Sequence, residues 1–171
     1  MKKVLLSMVL TLSIVSAKEG ISLEKIFKAT FSQGVTVGQK VITLSKNEMS
    51  QVQKQAKARI DSNKIRFYVV KKNNALEGYG VLVVQRVRTK KAAVLYLISK
   101  DEKIKSIEII AFHEPSEYKP NSTWKDVFEG KSRVDDLRAG HGIPTITGAT
   151  MSARAISDAA RIALAIVARE K

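Results

Sequence analysis

The chain has no cysteine among its 171 residues. That absence excludes a disulfide framework, a Cys-ligated zinc site, an iron–sulfur cluster, attached c-type haem and thiol chemistry. Its two histidines, His113 and His141, are too few for a His-rich metal cage. Aromatic residues make up only 6% of the chain, and no basic stretch is interleaved with them, so a base-stacking platform is missing. Acidic residues are scarce: 16 Asp and Glu face 30 Lys and Arg, a formal net charge of +14. Beyond the first twenty residues no apolar run is long enough to span a membrane.

The length and the mass of 18.9 kDa fit one domain, and 44% hydrophobic content is that of a folded chain. The N-terminus is laid out as a secretory signal peptide. Lys2 and Lys3 are followed by the apolar run Val4 to Val15, and Val15-Ser16-Ala17 offers small residues for cleavage after Ala17. No Cys follows the run, which excludes lipoprotein attachment. Cleavage would remove two of the 30 basic residues, leaving 28 against 16 and a net charge of +12. The expected location is exported or periplasmic, with membrane association left open. Such a surface favours anionic partners, and export argues against nucleic acid.

Hydrophobic patterning predicts a helix over Ser22 to Gln33, with Leu23, Ile26, Phe27, Thr30 and Phe31 on one face and Gly34 as its stop. Val35 to Leu44 reads as a strand. Ser45 and Glu48 have capping-box spacing and open a helix to about Ile60, with Met49, Val52, Ala56 and Ile60 facing inward. Four strands follow, Ile65 to Val70, Gly78 to Val87, Ala92 to Ser99 and Ile104 to Phe112. Their short polar joints favour antiparallel pairing. Apolar stretches such as Val81 to Val84 suggest a sheet covered on both faces. Pro115 and Pro120 mark residues 113 to 121 as irregular. Ser122 is placed to cap a short helix, Thr123 to Glu129, and an Ala-rich helix runs from Thr150 to Arg169. The fold class is α+β, a mostly antiparallel sheet flanked by helices. The expected organisation is a signal peptide (1–17), a helical and strand segment (18–63) packing on the same domain, and the domain proper (64–171).

Thr147-Gly148-Ala149-Thr150-Met151-Ser152 lies where a loop enters the last helix. The first turn of a helix presents free N–H groups and the positive end of the helix dipole, which suits phosphate. Gly148 and Ala149 allow close approach, and Thr150 and Ser152 supply hydroxyls. The same residue types are ordinary helix caps, so these residues alone leave both readings open.

This segment resembles the flavinylation motif, Ser-Gly-Ala-Thr-x-Ser/Thr, of the FMN-binding domain family. That family includes domains of the Na⁺-translocating NADH:quinone reductase and of the Rnf complex. The resemblance extends over about residues 78 to 169. It takes in Gly78-Tyr79-Gly80-Val81, the strand Ile107 to Phe112 with His113-Glu114-Pro115, and the Trp124, Phe128 and Gly130 segment. It implies FMN joined covalently to Thr150 by a phosphoester, placed there by a flavin transferase that uses FAD and acts on exported proteins. Thr147, Gly148, Ala149, Met151 and Ser152 complete the implied site. His113, Glu114, Tyr118 and Trp124 are candidates for the flavin ring. The chain departs from the family pattern at Thr147, which replaces the commoner Ser, and at Pro144, where an Asp is frequent. It departs again where His113 to Glu117 replace a His-x-Glu-Thr-Pro-Gly segment.

The function this implies is an exported flavoprotein that carries electrons between redox partner proteins or a membrane electron-transfer complex. Two other readings stay open. One is a small FMN-dependent reductase. The other is a flavin-free anion-binding module in which the Thr150 motif only caps a helix.

Overall fold

The computed structural model describes residues 22–171; the segment read as a signal peptide lies outside them. The order of elements is α1 (Leu23–Thr30), β1 (Thr36–Thr43), α2 (Lys46–Ala56), β2 (Lys64–Lys72), β3 (Ala75–Arg86), β4 (Lys91–Ser99), β5 (Ile104–Phe112), α3 (Ser122–Asp126) and α4 (Thr150–Glu170). The five strands form one sheet in sequence order, every pair antiparallel. This is the α+β arrangement the short polar joints imply. Asn73 and Asn74 both take positive φ, 49° and 66°, the twist that a tight hairpin between β2 and β3 requires.

One face of the sheet carries the main core. Phe67, Val81, Val83, Tyr96 and Ile107 point into it and meet α4, α2 and Phe128. Tyr96 is fully buried, and its hydroxyl donates to the Ile156 carbonyl of α4 at 2.7 Å. Burial holds that phenol well above its ordinary pKa, so it stays a neutral donor. The other face is covered by α1. The Phe27 ring lies over Gly80, where an added Cβ would stand 2.7 Å from the ring. Phe31 lies over Gly78, where a Cβ would collide with both that ring and the Ile98 carbonyl. The two glycines thus let the helix seat directly on the strand. Among the described residues coverage on this side is partial: Val84, expected inside, is 37% exposed because α1 is too short to reach it.

Four local details differ from expectation. Helix α1 ends at Thr30, short of Gln33. Helix α2 has its capping box at Ser45 and Glu48 but stops at Ala56 instead of Ile60, because Lys57 turns left-handed (φ 48°). The Gln53 side chain then accepts the Ile60 N–H at 2.9 Å, and Ile60 is buried by the turn rather than by the helix. The cap of α3 is Asn121, whose side chain accepts the Trp124 N–H at 2.9 Å, and not Ser122; the helix is also shorter than Thr123 to Glu129. Residues 113 to 121 are not wholly irregular: Ser116–Tyr118 form one 3₁₀ turn, with Pro115 at its cap. Proline sets φ for such an entry without losing a needed donor. Among the described residues no helix is long and apolar enough to cross a membrane, and no cluster of acidic or His side chains could hold a metal.

Gly78→Ala should destabilise the fold by about 1–3 kcal/mol through overpacking. Gly38→Ala, with only one atom 4.0 Å from the added Cβ, should be neutral or slightly stabilising. Denaturant midpoints of the two variants check this.

Candidate functional site

Helix α4 places the motif. Ala149 occupies its cap position, and no side chain caps it. Thr150 is the first helical residue, and its hydroxyl donates weakly to the Ile146 carbonyl at 3.5 Å. The backbone N–H groups of Thr150, Met151 and Ser152 have no partner among the described residues. The motif therefore does not cap the helix with a side chain. It leaves the positive end open. Gly148 has φ +78° with open space where a Cβ would point, so it is the left-handed turn, not crowding, that calls for glycine. Ala149 and Ser152 are buried, Thr150 is half-buried, and Thr147 and Met151 are exposed.

The loop before the motif is anchored from below. Leu137 and Ile143 are buried, and the Trp124 indole N–H donates to the Pro144 carbonyl at 2.8 Å. Trp124 also packs edge-on against Phe128, with ring centroids 5.2 Å apart. It does not line the cleft beside the motif. Its indole N–H is committed to the loop that delivers Thr147 and Thr150.

That cleft has a volume of about 190 Å³ and is bounded by residues 148–152 on one side and Val87, Arg88, Glu114 and Tyr118 on the other. A shallower depression adjoins it, sharing Arg88, Glu114 and Tyr118 and adding Thr89, Lys90, His113 and Pro115. Five of the motif residues, 148 to 152, thus come together with Glu114 and Tyr118, while His113 lies one step out on an exposed rim. His141 is exposed and lines neither depression.

Glu114 is buried and has its own task. One of its oxygens accepts the backbone N–H groups of Arg88, Thr89 and Lys90 at 3.1, 2.6 and 2.7 Å. These bonds, that of Lys90 first, hold its carboxyl below the ordinary value of 4.5. Glu114 therefore fixes the β3–β4 turn as one wall of the cleft. Val87 and Arg88, the residues on that wall, escaped the sequence reading. Alternating basic residues at the end of a strand were the available sign, but only the folded meander brings that turn to the start of α4.

An uncapped helix N-terminus, small residues at 148 and 149, and a cation on the facing wall together make an anion site suited to a phosphate. A larger groove, about 540 Å³ between α2 and α4, contains none of these residues, and its arginines are paired with Glu102, Asp136 and Asp158. The phosphate-type site coincides with a family assignment. Residues 89–165 match the model of the FMN-binding domain family, which supports that family for this segment. The match supports FMN as its cofactor. The match begins at the β3–β4 turn and ends within α4, so it contains all of the cleft wall except Val87 and Arg88. No curated protein and no solved structure matches the chain.

Glu114→Gln should weaken the turn most above pH 4.5, where the wild-type carboxylate is fully charged. A lowered folded-state pKa adds stability above the unfolded value, and that contribution is lost as pH falls through the folded value. The gap in thermal midpoint between wild type and variant should therefore shrink as pH falls below 4.5. Melting curves between pH 7 and 3 measure it.

Proposed function

We propose that this protein is an exported electron carrier whose FMN is attached to Thr150 by a phosphoester. The observation that carries this reading is the position of the Thr150 hydroxyl: first residue of an uncapped helix, in the cleft, opposite Arg88. A phosphate joined there would meet the free N–H groups of the first turn and a facing cation. Attachment would form a bond between the Thr150 oxygen and the flavin-side phosphorus of FAD. The pyrophosphate would break, AMP would leave, and the hydroxyl proton would be released. A transferase would supply that step, and a covalent link would keep the cofactor from being lost outside the cytoplasm. When bound, FMN supplies the redox chemistry. The chain's own residues hold its phosphate and shape the wall. Glu114, the cleft's carboxylate, is committed to three backbone donors and held ionised, which supports a carrier over an enzyme needing a poised acid.

Intact mass of the exported protein, produced with a flavin transferase, tests the attachment. The expected gain is one FMN less one water, absent from Thr150→Ala, and the same spectrum reports whether residues 1–17 remain. An unmodified wild type beside a modified family member would overturn the covalent reading. Arg88→Ala should retain the attachment site but slow modification several-fold, as loss of one phosphate-facing charge would predict.

A further inference from the structure

Among the described residues, the face of the sheet that bears α1 is only half covered. Phe31 and Phe27 sit over Gly78 and Gly80, and the buried cluster beneath them includes Leu82, Leu95 and Leu97. Beyond Leu82 no described helix covers the same face. Alternation along β3 puts Val84 and Arg86 on it, because Val83 and Val87 belong to the core of the opposite side. Register places Ala93 across from Val84, and Lys91 across from Arg86. Ile110 is the extra residue where the β4–β5 register shifts beside Ala93, and it is 39% exposed. Arg66, opposite Leu82, adds a third cation.

None of Arg66, Arg86 and Lys91 is in an ion pair among the described residues. The nearby carboxylates are already occupied. Glu108, opposite Leu95, pairs with Lys125 at 2.8 Å, and Asp61 accepts the Arg86 backbone N–H at 2.6 Å and faces Arg59. The result is a small apolar centre with an uncompensated positive rim. A second copy of the chain would bring like charges together, in a protein that already carries +14. The rim also borders the cofactor cleft: Arg86 and Lys91 flank the turn, 87–90, whose residues line it.

We propose that this bare end of the sheet is the docking surface for an acidic electron-transfer protein. Val84, Ala93 and Ile110 form its dry centre, and Arg66, Arg86 and Lys91 steer the partner. The inference rests on the carrier reading above. A partner seated here would lie against the hairpin that walls the flavin site, so docking and electron transfer would share one surface. Rim charges of this kind act on association rate and salt dependence more than on lifetime.

The test uses the exported, flavinylated protein and a reduced acidic flavodoxin as electron donor. Stopped-flow flavin reduction is followed with rising ionic strength, and backbone amide shifts are followed as oxidised flavodoxin is added. At low salt Arg86→Glu with Lys91→Glu should slow reduction about tenfold and remove the wild type's salt dependence. Lys54→Glu with Lys57→Glu, on α2 and just past its end across the sheet, should stay within about twofold. Amide shifts should centre on 84, 93 and 110. Equal losses from both charge reversals, or losses from neither, would overturn the proposal. So would binding of anionic phosphatidylglycerol vesicles through Arg86 and Lys91 without a flavodoxin response, or a dimer abolished by Val84→Ser. Binding at the patch with no electron transfer would keep the docking surface and remove the carrier reading. Transfer indifferent to Arg86 and Lys91 would do the reverse.

Discussion

The burial of α4 against the sheet is the constraint on which the site depends. Thirteen of its 21 residues are buried, so the helix has little freedom to slide or rotate. Ala153, Ala159, Ala160 and Ala163 let the backbone come close, and Ile156, Ile162, Leu164, Ile166 and Val167 fill the space around them. At about 2 kcal/mol each, those five large side chains contribute on the order of 10 kcal/mol before entropy is counted. That is comparable to the net stability of a whole domain. The weak Thr150 hydroxyl bond, worth at most about 1 kcal/mol, could not position the motif by itself. The helix holds Thr150 because its far end is locked in the core, and the Tyr96 hydroxyl on the Ile156 carbonyl adds a polar tie near the first turns.

The opposite wall is built by a different means. Of the β3–β4 turn only Val87 reaches the hydrophobic core. A single carboxylate, Glu114, arrives from the segment after β5 and gathers three consecutive N–H groups. One wall of the cleft therefore rests on apolar packing and the other on a charge-assisted polar clamp. Trp124 serves the loop between them through the Pro144 carbonyl. The carbonyl of that proline still offers an acceptor, which is all the indole uses.

Much of this is legible in the sequence. The five strands are readable from apolar runs between short polar joints, and antiparallel order follows from joints too short for crossovers. The capping box of α2 is explicit in Ser45 and Glu48. The limits come where a side chain elsewhere in the fold decides the outcome. Gln53 and the left-handed Lys57 end α2 early, and Asn121 takes the cap in place of Ser122, because only its side chain meets the Trp124 N–H. The motif at 147–152 stands out from its residues, and the fold sets Thr150 in a cleft. The rest of the cleft is out of reach, because Val87 and Arg88 join it only through the pairing of β3 with β4 and the packing of α4 across both. Trp124, a ring candidate by sequence, lies instead under the loop.

Every strand in the sheet pairs with its neighbour in sequence. Local contacts of that kind form quickly and need no long loop to close first. The hairpin that carries Arg88 is made and paired within a short stretch of chain, whereas α4 packs against β3 and β4, far upstream of it. On a chain emerging N-terminus first, the clamped turn can stand ready while its counterpart is still to come. The cleft would then close as the last act of folding, and only a finished molecule would present Thr150 in its setting. An enzyme that reads that setting would in effect be inspecting the whole fold before committing a flavin to it.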